Sequence, residues 1–270
     1  MTPTMIRISA INHLDGGIET RPDRVRSLDR LDAQLDLLAE LDLDVVLSTE
    51  GKGWLDDDNQ LLGYAAHRLG MNPFVAPAPR HDCNVVIWLR PGRFRDVREH
   101  HIVREPFWHG QARVEVSLDG LRERLWLVAA HFSPFVPPIR TAEAYATLEL
   151  AADGLLVIGG GDFQDDANAE EAPDRSHMDP ARRLRYGTPG DPQSPAELFR
   201  SAGMVDVAAA LDDRQPTAGF VDRAPLRCDR FHLSSRLAHT PRAYRAHPDP
   251  DGKLSDHLII DAELDLTAAI

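Results

Sequence analysis

Six polar residues of this 270-residue chain stand where apolar runs stop or start: Asn12, Glu50, His131, Asp162, Asp256 and His257. Glu50, Asp162 and Asp256 are hard oxygen donors of the kind that bind a magnesium or manganese ion. His257 can carry or transfer a proton near neutral pH. The clearest placement is in LLVIGGGDFQDDA, residues 155–167. Leu155, Leu156, Val157 and Ile158 read as a strand buried on both faces. Asp162 then falls at the carboxyl end, where open α/β sheets keep their ligands. The three glycines bring the backbone close to something, although a plain turn would explain them too. Any one of these polar groups alone is an ordinary loop residue; together they are groups of catalytic type gathered where strand ends converge.

The elements that must position them follow from the periodicity. MIRISAIN sets Ile6, Ile8 and Ala10 against polar residues and reads as a strand ending at Asn12. Leu28, Leu31, Leu35 and Leu38 repeat at helical spacing. DVVLSTE is a short buried strand that ends on Glu50. A helix around LLGYAAHRLGM, then NPFVAPA, and a strand NVVIWLR come next. Residues 93–110 are rich in arginine and histidine and end at FWHG. RVEVSL and RLWLVAAHF read as the strands of a hairpin, the second ending near His131. TAEAYATLELAA is a helix. Residues 163–195 have little apolar periodicity, which for so long a loop implies function or mobility. PAELFRSAGM is a short helix, RCDRFHLS is strand-like, and SDHLIIDAELDL finishes as a strand. No repeat or linker divides the chain, so residues 1–270 are expected to form one domain with interleaved strands and helices.

Composition narrows the partners. A hydrophobic share of 43% and a charged share of 27% are those of an ordinary globular protein. No segment is long enough for a membrane span, and MTPTMIRISAIN has no signal-peptide pattern, so the cytoplasm is the expected location. Cys83 and Cys228 are the only two cysteines; both are expected to be buried and reduced, and the absence of CxxC and HExxH argues against a structural zinc site. A net charge of -13 repels polyanions unless a basic patch or bound cation intervenes. Arg90, Arg93, Arg95, Arg98 and Arg104 could form such a patch, or could simply pair with the surrounding acids.

The ordered set of motifs resembles the endonuclease/exonuclease/phosphatase superfamily, which includes apurinic endonucleases, DNases and bacterial sphingomyelinases. The resemblance is carried by Asn12, Glu50, His131 in AAHFSP, the run Gly161–Gln164, Asp229 in RCDRF, and the run Ser255–His257. It implies an α/β four-layer sandwich, two packed mixed β-sheets flanked by helices. It implies Glu50 as principal ligand of a Mg2+ or Mn2+ ion, with Asn12 and Asp256 nearby. Asp162 would orient or deprotonate the attacking water, with Gln164 aimed at the same centre by strand alternation. His257 would meet the phosphoryl oxygen, Asp229 would accept its other ring proton, and His131 would also touch the phosphate. Lys52, Trp54 and Arg140 are expected to bind substrate, Trp54 as a pocket wall or else as a packed loop residue.

Three departures from the family pattern stand out: Gln164 replaces an asparagine, Leu14 occupies a position that is often acidic with Asp15 one residue out of step, and TEGKGW brings Lys52 and Trp54. The expected activity is metal-dependent hydrolysis of a phosphomonoester or phosphodiester in a small or medium-sized substrate. A DNA nuclease is the alternative in the same superfamily, disfavoured by charge. Two further alternatives are non-phosphoryl chemistry on the same fold, and a binding protein without turnover.

Overall fold

The apolar runs assemble into two sheets. A computed structural model of the chain describes residues 4–20, 26–151, 154–168, 173–188, 190–221, 223–249 and 251–269. The first sheet contains β1 (Met5–Asn12), β4 (Val45–Lys52), β5 (Asn72–Ala76), β6 (Cys83–Leu89), β13 (Pro241–His247) and β14 (Ile259–Asp265), in the order β13-β14-β1-β4-β6-β5. The second contains β7 (Phe94–Glu99), β8 (Gln111–Leu118), β9 (Leu125–His131), β10 (Leu156–Asp162), β11 (Val205–Asp206) and β12 (Asp229–Leu233), in the order β11-β12-β10-β9-β8-β7. Two short strands, β2 (Glu19–Thr20) and β3 (Arg26–Ser27), pair with each other.

Successive strand residues point to opposite faces, and β4 shows what this does. Leu47 enters the core between the sheets with Ile8, Ile87, Val114, Leu127 and Ile158. Its neighbour Val46 faces outward onto α1 (Asp29–Glu40) and α2 (Gln60–Leu69), meeting Leu31, Leu35, Leu38 and Ala65. On the far side, α3 (Pro137–Leu148) and α5 (Pro195–Ser201) cover the second sheet through Ala144, Leu198 and Phe199, packed with Phe132 and Phe163. The layers run helix, sheet, sheet, helix, the expected four-layer α/β sandwich.

Helix α3 starts at Pro137 rather than Thr141, because Pro137 and Pro138 occupy its first turn, where a missing N–H costs nothing. Ala152, expected at its end, lies outside the described residues. The glycines of β10 have physical reasons. A Cβ on Gly161, at φ 131°, would stand 2.1 Å from the Ala130 carbonyl oxygen; one on Gly160 would stand 2.7 Å from Phe231 Cδ1 and 2.9 Å from Leu47 Cδ1. Gly160 therefore lets the two sheets close and Gly161 lets β10 lie tight on β9.

The stretch 163–195 is tied to the sheet where it is described; residues 169–172 and 189 lie outside the described residues. Asp165 Oδ1 meets the fully buried Arg230 Nη2 at 2.5 Å, and Asp165 Oδ2 accepts from Ala196 N at 2.8 Å. Its helix α4 (Pro180–Arg185) is capped by Asp179, whose Oδ1 accepts from Ala181 N at 2.9 Å. The arginine-rich run is largely neutralised. Arg90 pairs with Asp42 at 2.7 Å, Arg93 with Asp44 at 3.3 Å, Arg98 with Glu115 at 3.6 Å, and Arg95 with Asp119.

Under α5, His232 packs edge-on to Phe199 and Phe163, and its Nε2 accepts from Arg230 Nε at 3.2 Å. Burial pushes its pKa down to about 3. The unfolded chain therefore takes up a proton here that the fold refuses, and stability falls as pH drops from the ordinary histidine value of about 6.5 toward 3, by about 1.4 kcal/mol per pH unit. Denaturant titrations should show this slope in the wild type and a slope lower by about one proton in His232→Gln, whose carbonyl can still accept from Arg230. Equal slopes would remove His232 from the acid response.

Candidate active site

Three adjacent strands deliver the centre. Asp162 at the end of β10 is in register with His131 on β9 and with Asp229 on β12. From the facing sheet, Asn12 ends β1 opposite Thr49 of β4. Glu50 follows in a left-handed conformation, φ 57°, where the β4–β6 register slips between Ser48 and Gly51. A bulge of this kind turns a side chain off its regular face, and here it brings Glu50 to Asn12.

Asn12 joins the two carboxylates. Its Nδ2 lies 3.3 Å from Glu50 Oε1 and 3.2 Å from Asp162 Oδ2, while its Oδ1 accepts from Leu14 N at 3.0 Å. Glu50 Oε2 accepts the Asp15 amide at 3.0 Å. The Leu14–Asp15 departure thus contributes backbone donors, made possible by positive φ at both residues. Asp162 is fully buried, with Oδ1 taking the Gln164 amide at 3.0 Å and Oδ2 taking Gln164 Nε2 at 2.6 Å. The strand has ended by then, and Gln164 reaches Asp162 through its own left-handed turn, φ 55°, rather than by strand alternation. The added methylene folds the glutamine amide back over the aspartate.

His257 Nδ1 meets Asp229 Oδ2 at 2.9 Å and lies 3.8 Å from Asp162 Oδ2. Burial opposes charge on this imidazole, but Asp229 and then Asp162 outweigh it and raise its pKa well above the ordinary histidine value. Burial likewise opposes charge on Asp162, yet His257, His131 and the amide donors more than offset it and hold the carboxyl below its usual range. The arrangement is a buried imidazolium between carboxylates. Asp162, Cys228, Asp229 and His257 also bring their donor atoms within 4.8 Å of one another. A protonated imidazole has no lone pair to give, so this group reads as a proton-holding network and not a cation cage.

A cavity of about 310 Å³ opens on this network, lined by Glu50, Gln164, Asp256 and His257 together with Phe135, Arg182, Arg185 and Tyr186. Burial, reinforced by Glu50 and Asp162, pushes the Asp256 carboxyl above its usual range.

Four expected contacts come out differently. His131 is 1% exposed and does not line the cavity; its Nε2 sits 3.5 Å from both Asp162 Oδ2 and Gln164 Nε2, so it meets the network from behind rather than facing the cavity. Trp54 is 0% exposed, donates Nε1–H to Gly16 O at 3.0 Å and packs on His13 and Trp88, so it is core and not a pocket wall. Arg140 is buried with Nη1 on Ser133 O at 3.0 Å and Nη2 on Arg185 O; it holds the end of α4 beside the loop after β9 and has no fork left for substrate. Lys52 pairs with Asp15 at 2.6 Å and lines a neighbouring cavity with Arg26 and Arg30.

Two contributors were missed. His109 stacks on His131 with ring centroids 3.8 Å apart and planes 6° apart. Arg185 places its guanidinium 5.0 Å over the ring of Phe135, which is 50% exposed. The histidine of FWHG was visible, but nothing in the linear spacing ties it to AAHFSP.

No protein-family model matches the sequence, and no curated protein matches it. Solved structures do. An endonuclease/exonuclease/phosphatase family protein from Leptotrichia buccalis superposes with a TM-score of 0.68 at 14% identity, over 96% of this chain and 99% of that one. The AP endonuclease LMAP from Leishmania major gives 0.69 at 16%, over 97% and 88%. TDP2 from D. rerio, complexed with single strand DNA product, gives 0.64 at 17%, over 97% and 99%. The chain has the endonuclease/exonuclease/phosphatase fold. Within that fold the Asp229–His257–Asp162–Asn12–Glu50 network occupies the strand ends of both sheets, on the edge where the cavity opens.

Proposed function

We propose that the protein is a divalent-metal-dependent phosphoester hydrolase that activates water at the Asp162–His257 network. The observation that carries this reading is the His257 imidazole, with Nδ1 2.9 Å from Asp229 Oδ2, lining a cavity beside Glu50 and Asp256. Phosphoryl transfer needs compensation of charge on the equatorial oxygens more than it needs covalent chemistry. With Nδ1 committed to Asp229, His257 keeps Nε2–H for a phosphoryl oxygen. Asn12 and Gln164 hold Asp162 in place for orienting water and receiving its proton, once the Gln164 side chain turns aside from Oδ2.

Glu50 and Asp256, with Asn12, would hold a Mg2+ or Mn2+ ion. The donors fit, since both carboxylates line one cavity and Asp256 is pushed up partly by Glu50, a repulsion that a cation relieves. When bound, such an ion supplies Lewis-acid polarisation of the ester. Calorimetry with Mg2+ should find one ion bound, and Glu50→Gln should weaken it by at least about tenfold with unchanged circular dichroism; equal affinity would remove Glu50 from the site. The whole reading is tested by a panel of phosphomonoesters and phosphodiesters with Mg2+, Mn2+ or chelator. Metal-dependent turnover that chelator abolishes is expected. Failure on every ester would sink the hydrolase reading in favour of other chemistry or a binding role.

A cavity of about 310 Å³ is of small-molecule size, which favours a small or medium-sized phosphorylated substrate. One observation favours a second reading, a nucleic-acid end. Phe135 and Arg185 at the cavity offer an aromatic face and a cation, the pairing that holds a stacked base and its phosphate, and the solved D. rerio TDP2 carries single strand DNA product. Among the described residues no helix is long and apolar enough to cross a membrane. The two free thiols are in keeping with the reducing cytoplasm as its location.

A further inference from the structure

We propose that His81, Cys83 and His109 form a second metal site, one that takes a zinc-class ion and is distinct from the acidic site of Glu50 and Asp256. A ring nitrogen of each histidine and the Cys83 sulfur lie within 4.8 Å of one another. The residues come from the loop that enters β6 and from the FWHG turn that enters β8. These are locked together: Gly110 at φ 83° lies so close to the first loop that a Cβ would stand 3.1 Å from the Pro77 carbonyl oxygen. Glu143 accepts the Trp108 amide at 2.7 Å and fixes the turn from the other side.

Three of the four ring nitrogens in this group are buried without a hydrogen-bond partner. His109 is 4% exposed, and neither of its ring nitrogens has a hydrogen-bond partner; His81 Nε2 is also buried without one. The Cys83 backbone approaches His109 without the geometry of a hydrogen bond. His81 Nδ1 has only the Cys83 amide, at 3.3 Å. Buried polar nitrogens are almost always satisfied, so several orphans converging on one thiol need an explanation. A metal ion provides it.

The donor set selects the ion. Two imidazoles and a thiol suit Zn2+ and its borderline relatives and reject the hard cations Mg2+ and Ca2+. Zinc with ligands at about 2.0–2.3 Å needs donor separations of roughly 3.3–3.7 Å, so the three side chains close by about 1 Å, a matter of side-chain rotation. Neutral imidazoles and a thiolate are the ligating forms. Binding therefore expels the thiol proton to solvent as the metal–sulfur bond forms. Three protein ligands leave a fourth position for water. Because His109 stacks on His131, which touches Asp162, the ion would stiffen the wall behind the hydrolytic centre. The proposal does not depend on the hydrolase reading.

The test is a Co2+ titration of the reduced, chelator-treated full chain. One equivalent should produce a thiolate-to-cobalt charge-transfer band, displaced by Zn2+ and not by Mg2+. Cys83→Ser should abolish the band, and His109→Ala should weaken Zn2+ binding by more than the roughly 10–100-fold that loss of an outer partner costs. Cys228→Ser and Glu50→Gln should leave the band intact. Should Cys83→Ser fail to fold, His81→Gln at the more exposed ligand must still weaken the band. No band at saturating Co2+, a band that survives Cys83→Ser, or one lost with Cys228→Ser overturns the site.

Discussion

Asp162→Asn and His257→Ala are each expected to lower kcat/KM by on the order of 10²–10³, the usual cost of a positioned base or charge stabiliser. The aspartate change is nearly isosteric, yet it cannot be silent. Asp162 accepts the Gln164 amide on Oδ1 and two amide donors, from Asn12 and Gln164, on Oδ2. An asparagine has one acceptor oxygen, so whichever way it turns its NH₂ faces a donor. His257→Ala removes the cation and leaves Asp229 buried beside Cys228 with its imidazole partner gone. The two residues act on one reaction step, so the double variant should lose little beyond the worse single. Steady-state rates on the best ester from the panel, with circular dichroism as the fold control, decide it. Near wild-type turnover in either single variant would take that residue out of the mechanism.

Trp54→Ala is expected to destabilise the fold by about 3–5 kcal/mol, the range for removing a large buried aromatic. It vacates a space between His13, 4.7 Å away by ring centroid, and Trp88, 5.7 Å away, and leaves the buried Gly16 carbonyl without its indole donor. The folded fraction should keep its KM, because Trp54 has no exposed surface to offer a substrate. Denaturant unfolding and kinetics on the same preparation separate the alternatives: a raised KM with unchanged stability would restore Trp54 as a pocket wall.

Much of the frame was legible in the chain. The strands that meet at the site, β1, β4, β9, β10 and β12, are largely buried on both faces, so their apolar runs mark their ends, and polar residues at those ends mark the catalytic edge. That is why Asn12, Glu50, Asp162 and His257 could be read from their places at strand ends, whereas Asp229 was expected only through the family resemblance; the structure brings all five together. The glycines of β10 were visible as a demand for close approach, though not what approached: Leu47 and Phe231 at Gly160, and the Ala130 carbonyl at Gly161.

Other features depended on contacts between residues distant in sequence. A tryptophan beside a lysine in TEGKGW has the composition of a binding loop, and only the packing of α1 and α2 on β4 turns Trp54 inward. Arginines 90–98 have the composition of a basic stripe, and only the folded acids Asp42, Asp44, Glu115 and Asp119 neutralise them. Arg140 becomes structural because α4 returns its Arg185 carbonyl to the helix that carries it. Gln164 reads as a displaced copy of an asparagine, but its left-handed turn lays the amide over Asp162. The meeting of His81, Cys83 and His109 has no linear signature, since its two loops enter strands of different sheets and meet only where those sheets pack, through a glycine contact. Local periodicity encodes which face of an element is buried; which charges meet, and which donors are left without partners, is decided by tertiary packing.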